Sequence, residues 1–132
     1  MSTKFASIHF KEKDIIYVKF TSIKPEINQF EEYLKELTKN MISADQKVFI
    51  ILDATYSFFL PFELRKKQAQ WMKENKELII EKVLCTISVI PNAIQRTVLY
   101  SIFAIQKPYS PYKIFKSVKE SMDYISYHKE LV

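Results

Sequence analysis

The chain has 132 residues, a single-domain length, and with 48% apolar and 27% charged residues it can bury a real hydrophobic core without disulfides or metal. It contains no glycine, which excludes dinucleotide fingerprints, P-loops and glycine-lined phosphate cradles, because each needs backbone positions without a Cβ. The net charge of +5 leans only weakly toward an acidic partner or surface, and the lone Cys85 excludes an intrachain disulfide or a cysteine-built metal cluster and points to a reducing compartment.

No apolar leader-type region follows Met1, and no apolar run approaches the about 18 residues of a membrane span, so the expectation is a cytoplasmic protein. Phe5 to Phe10 and Ile15 to Phe20 alternate apolar with polar around the turn Lys11-Glu12-Lys13-Asp14, the pattern of a β-hairpin with one solvated face. His9 falls in the first strand without an Asp or Cys nearby and reads as structural. Pro25 and Glu26 open a helix whose Ile27, Phe30, Leu34, Leu37 and Met41 share one face at three- and four-residue spacing.

Ala44 to Lys47 is a polar connection to the run Val48 to Leu52, continuously β-branched, aromatic or aliphatic, as a strand buried on both faces requires. Asp53 stops that strand and Thr55 and Ser57 punctuate the loop behind it. Pro61 then opens a helix with Glu63 favourably placed in its first turn. This helix is predicted to run to about Lys82, with Leu64, Trp71, Met72, Leu78 and Ile79 inside and Arg65, Lys66, Lys67, Lys73 and Lys76 outside. Its basic start suits an acidic partner, while the interspersed Glu74, Glu77 and Glu81 suit a plain solvated face.

Val83 to Ile90 is a second buried-type strand, in which Cys85 reads as a small core hydrophobe. Asn92 with Gln95 caps a helix through Gln106 that is apolar on far more than one face. Such a surplus predicts a self-association patch, a partner groove or a membrane-surface contact, or else a helix squeezed between the sheet and neighbouring loops. Lys107 to Pro111 is a loop and Tyr112 to Phe115 a short strand. Ser117 with Glu120 caps a last helix that turns Val118, Met122, Ile125 and Leu131 inward, with Tyr124 and Tyr127 flanking. Between Val83 and Val118 there is no acidic residue, whereas Arg96, Lys107, Lys113 and Lys116 are present, which gives this half a local positive field.

The predicted order β-β-α-β-α-β-α-β-α is an α/β architecture: an N-terminal hairpin, then alternating helices and mostly parallel strands in a mixed five-stranded sheet with about four helices. On the segments ILDAT (51–55), RKKQAQWMKEN (65–75), VIPNAIQRTVLYSIFAIQKP (89–108) and YKIFKSVKESMDYI (112–125), the chain resembles the STAS domain of bacterial anti-sigma-factor antagonists and its divergent relatives. The resemblance implies one STAS-like domain over residues 1–132 and a regulatory, protein-binding role. Antagonists of that kind carry a phosphorylatable serine where the helix after the central strand begins, and there this chain has Pro61, Phe62 and Glu63 instead. Thr55 and Ser57 come earlier, as phosphate acceptors or as loop hydrogen-bonders. Glu63 stands either for a permanent negative charge or for a simple helix-dipole match.

No nucleophile, base and charge stabiliser stand in an evident constellation, and two histidines with one cysteine supply no metal set, so no enzyme activity, cofactor or metal is expected. Asp53, ending the central strand, is the best single acid–base candidate, though it reads first as a turn-stabilising aspartate. The expected function is a non-catalytic interaction module that docks a protein partner through Asp53, Thr55, Ser57, Phe58, Phe59, Phe62, Arg65 and Lys66, together with Tyr56, since aromatic anchors beside positive charge suit an interface. The alternative is lipid or anionic membrane-surface binding, or homodimerisation, through helix 93–106 with Arg96, Leu99, Phe103, Lys107 and Lys113. Specific nucleic-acid recognition is not expected, because the charge excess is small and the aromatics lie mainly in apolar runs.

Overall fold

Two periods of hydrophobicity divide the chain, alternation in the strands and three- and four-residue spacing in the helices, and the structure, a computed structural model that describes residues 5–56, 60–105 and 107–130, follows that division. The elements are β1 (Ala6–Glu12), β2 (Ile15–Phe20), α1 (Ile27–Ser43), β3 (Val48–Asp53), α2 (Phe62–Glu74), α3 (Lys76–Lys82), β4 (Val83–Val89), α4 (Ala93–Ile105), β5 (Tyr112–Phe115) and α5 (Val118–Glu130). The strands form one sheet in the order β1-β2-β3-β4-β5, with β1 and β2 antiparallel and the remaining pairs parallel.

Because strand order follows chain order, every crossover from β2 onward steps the same way, and right-handed connections then place α1, α2, α3 and α4 on one face of the sheet. On that face Ile16, Val18, Val48 and Ile50 pack against Phe30, Leu34, Leu37 and Met41 of α1, Leu64 of α2 and Ile79 of α3. α5 follows the last strand and returns across the opposite face, where Ile125 and Met122 cover Phe49, Ile51, Cys85 and Ile87. β3 is therefore buried on both faces, as its unbroken apolar run requires. The hairpin's outer strand is mostly exposed, with only Ala6 buried and Ile8 half-buried.

The helix caps match their residues. Glu26 and Gln29 close a capping box on α1. The Gln95 N–H donates to Asn92 Oδ1 at 3.0 Å, and the Glu120 N–H donates to Ser117 Oγ at 3.2 Å. One expectation is corrected. The long helix after Pro61 does not run unbroken to Lys82 but divides at Asn75 into α2 and α3, so one of the about four expected helices is present as two. Asparagine competes for backbone groups in a helix interior, and the Asn75 Nδ2 donates to the Trp71 carbonyl at 2.9 Å while its own carbonyl accepts the Ile79 N–H that starts α3. The break re-aims α3 so that Lys82 Nζ donates to the Ala44 carbonyl, tying the end of this helical segment to the entry of β3.

Phe49 is fully buried in the central strand beneath α5, with the His128 ring edge-on at 5.6 Å. Phe49→Ala is expected to cost about 3–5 kcal/mol, read as a lowered midpoint in urea unfolding; a loss below about 1 kcal/mol would show that the α5 face is not part of the core.

Candidate functional site

The C-terminal end of β3 is where the chain leaves the middle of the sheet, and in open α/β sheets this edge is the usual binding position. The alternation of β3 turns Asp53 toward the α5 side, where register places Lys19 of β2 beside it and Tyr17 two residues lower on the same face. Asp53 is only 4% exposed. The Tyr17 hydroxyl donates to its Oδ2, the Thr55 hydroxyl donates to its Oδ1, and the Thr55 N–H donates to the same Oδ1 at 3.0 Å. The last contact is an Asx-turn, a side chain standing in for the backbone acceptor of a turn where no glycine is available. The next backbone donor, the Ala54 N–H, reaches the Val89 carbonyl at 3.0 Å and carries the parallel ladder one step beyond the strand. Both Asp53 oxygens thus hold the loop's first residues and the neighbouring strand's tyrosine.

Burial first, then the hydrogen bond and charge of Asp53, push the Tyr17 phenol well above its ordinary range, so it stays a donor. The His9 ring lies edge-on to Tyr17 at 5.4 Å, and Lys11 Nζ sits 5.0 Å from the Tyr17 ring centroid. His9 is thereby a strand-face packing residue.

Beyond Asp53 the chain presents aromatics and cations together. Tyr56 is 64% exposed, with Lys19 Nζ 5.6 Å from its ring centroid. Phe62, the first residue of α2, is 66% exposed, and both the Arg65 guanidinium (5.9 Å) and Lys66 Nζ (5.6 Å) lie over its ring. Pro61 sets this turn: its carbonyl accepts the N–H groups of Leu64 and Arg65, both at 3.0 Å. Leu64 is buried and anchors α2, which leaves Phe62, Glu63, Arg65 and Lys66 outward. Ser57, Phe58 and Phe59, also candidate docking residues, lie outside the described residues.

The second candidate group divides between locations. Arg96 Nη1 donates to the carbonyls of Ile90 and Pro91, at 2.9 and 2.7 Å, and so fastens the start of α4. Leu99 and Phe103 turn toward the sheet, where Phe103 meets Tyr112 edge-on at 4.5 Å, whereas Ile94, Val98 and Tyr100 point outward. Lys107 is exposed. Lys113 lies on the opposite face, with Nζ 5.7 Å from the ring of Tyr124 on α5. Cys85 is buried in β4, and burial pushes its thiol up to about 11 against the opposing effect of Lys113, which leaves it a core residue rather than a nucleophile. Among the described residues no group of three or more His, Cys, Asp and Glu side chains could hold a metal ion, and no helix is long and apolar enough to cross a membrane.

Tyr17 was not evident from the sequence as part of this site. Its place on the strand face was readable from the alternation in β2, but the register that carries its hydroxyl to the end of β3 was not.

No protein-family model matches the chain, and no curated protein matches it. A crystal structure of an uncharacterised protein of the DUF3478 family from Shewanella loihica PV-4, described as having a SpoIIAA-like fold, aligns with a TM-score of 0.67 over 94% of this chain and 98% of that one, at 12% identity. The fold is STAS-like.

Tyr17 and Tyr33 both keep their protons above the ordinary tyrosine range of about 10, Tyr33 through burial alone. Above that range the unfolded chain releases protons that the folded chain retains, so stability is fully present below pH about 10 and falls as the pH rises further. Thermal unfolding followed from pH 8 to 11 should show this fall, and Tyr17→Phe should make it shallower. The same variant removes a donor from buried Asp53, with an expected loss at neutral pH of about 1–3 kcal/mol.

Proposed function

We propose that the protein is a non-catalytic regulatory module that docks a protein partner at the end of β3, through Tyr56, Phe62, Arg65 and Lys66. The observation that carries this reading is the pairing of two exposed aromatic rings, Tyr56 just after the Asp53 turn and Phe62 at the start of α2, with three cations, Lys19 of the neighbouring strand and Arg65 and Lys66 of α2. Exposed aromatics of this size cost solvation when free and supply the anchors of an interface when covered, and the flanking cations steer an acidic rim toward them. An acid–base role for Asp53 is disfavoured, because Tyr17 and Thr55 occupy both carboxylate oxygens. A STAS-like fold fits a binding module, and the partner expected is a protein surface with an apolar pocket and acidic residues around it.

Affinity capture from the native lysate tests the reading, with the wild-type chain and a Phe62→Ala, Lys66→Glu variant side by side. A partner retained by the wild type should be lost, or weakened at least about tenfold, by the variant, with unchanged circular dichroism and thermal unfolding. Equal retention by both, or no partner retained by either, overturns it.

A second reading has its own observation. α4 exposes Ile94 (76% exposed), Val98 and Tyr100 along its outer side, an apolar strip on a positively charged half of the chain. Anionic membrane-surface contact through this strip predicts flotation with phosphatidylserine vesicles at low salt that Ile94→Glu abolishes; no flotation at either low or high salt removes it.

A further inference from the structure

α4 contributes no residue to either core cluster, and the space between it and the sheet is apolar. The larger lobe of this cavity, about 230 Å³, lies between the aromatic cluster of Phe20, Phe30 and Tyr33 and the inner side of α4, with Leu99, Ile102 and Phe103 forming that wall. A smaller lobe of about 100 Å³ continues toward Trp71 and shares Tyr33, Gln68 and Ser88 with the first. Protein interiors are close-packed, and unfilled apolar volume forgoes dispersion contacts along its whole lining. Apolar cavities of about 150 Å³ stay dry and take up benzene-sized molecules, and the larger lobe alone exceeds that size.

Two features point to an amphiphilic occupant rather than a plain hydrocarbon. The Tyr33 side chain is 6% exposed and its hydroxyl has no hydrogen-bond partner among the described residues, although it lines both lobes. The hydroxyl is not sealed off but opens on the cavity, so a ligand oxygen entering there can accept its hydrogen bond. Arg65 lies on the rim of the larger lobe, exposed, over the Phe62 ring, and without a carboxylate partner among the described residues. An apolar bore with a cation at its mouth and hydroxyl and amide groups partway in matches a molecule with one anionic end and an alkyl body.

We propose that this cavity binds a medium-chain alkyl monocarboxylate, with the chain between α4 and the sheet and the carboxylate on Arg65. The site is distinct from the outward strip of α4 and shares Arg65 with the proposed docking surface, but ligand titration into the isolated chain reads it without any protein partner.

Octanoate and 1-octanol are the probes, titrated into the full chain by calorimetry, with fluorescence of the single tryptophan, Trp71, reporting on the inner lobe. The expected result is one octanoate bound per chain with a Kd of about 1 mM or tighter, accompanied by a change in Trp71 emission. Arg65→Gln, a surface change, should weaken octanoate about tenfold, the value of a charge-assisted hydrogen bond, while leaving octanol within about twofold. Ala69→Phe or Ile102→Phe, each filling the larger lobe, should abolish both, with circular dichroism showing which of the two variants keeps the fold. Absence of octanoate binding to the wild type, binding untouched by a folded cavity-filling variant, or equal weakening of acid and alcohol by Arg65→Gln overturns the assignment.

Discussion

The constraint on which the rest of the molecule depends is the handedness of its crossovers. With strands laid down in chain order from β2 to β5, each right-handed connection must fall on the same side of the sheet, so four helices compete for one face while α5 has the other to itself. α1, α2 and α3 occupy the half over β2 to β4 and bury most of it. α4, the last to arrive, finds only the remaining margin over β4 and β5, and its apolar surplus is divided between a cavity below and an exposed strip above. The loose seating of α4 is a consequence of topology rather than of weak helix propensity.

The same topology fixes where binding chemistry can lie. β3, with neighbours on both sides and helices on both faces, offers mainly its C-terminal end to solvent, and there Asp53, Tyr17 and Thr55 meet. Without glycine the loop cannot wrap an anion with its backbone, so it is shaped by side chains: Asp53 forms the turn and takes the Tyr17 hydroxyl across the strand pair, and Pro61 sets the start of α2. Tyr56 and Phe62 stand exposed beside Lys19, Arg65 and Lys66, and both oxygens of Asp53, the only buried carboxylate of the described residues, are taken up by Tyr17 and Thr55.

Much of the fold was legible in the residues because the decisive signals were local. The unbroken run Val48 to Leu52 announced a central strand, and Pro25 with Glu26 and the cap pairs Asn92 with Gln95 and Ser117 with Glu120 marked helix starts that the structure places at Ile27, Ala93 and Val118. The break at Asn75 was not legible, since Trp71, Met72, Leu78 and Ile79 continue a helical stripe through it and only the Asn75 side chain's capture of the Trp71 carbonyl interrupts it. At the site, Tyr56, Phe62, Arg65 and Lys66 could be singled out from type and spacing. The pairing of Tyr17 with Asp53 could not, because it depends on register between strands 36 residues apart at that contact. The cavity under α4 was likewise beyond sequence reasoning: an excess of apolar residues predicts that something must cover them, and only the placement of Leu99 and Phe103 against Ser88 and Tyr33 shows an internal space.

The central claim is that the chain meets its partner at the end of β3 and not along α4. Photo-crosslinking in cells tests it most directly, with a photoreactive phenylalanine analogue in place of Phe62 in one sample and of Ile94 in another. The account predicts a defined protein adduct from position 62 and none from position 94. An adduct formed only from position 94, or none from position 62 in a folded protein, would contradict it.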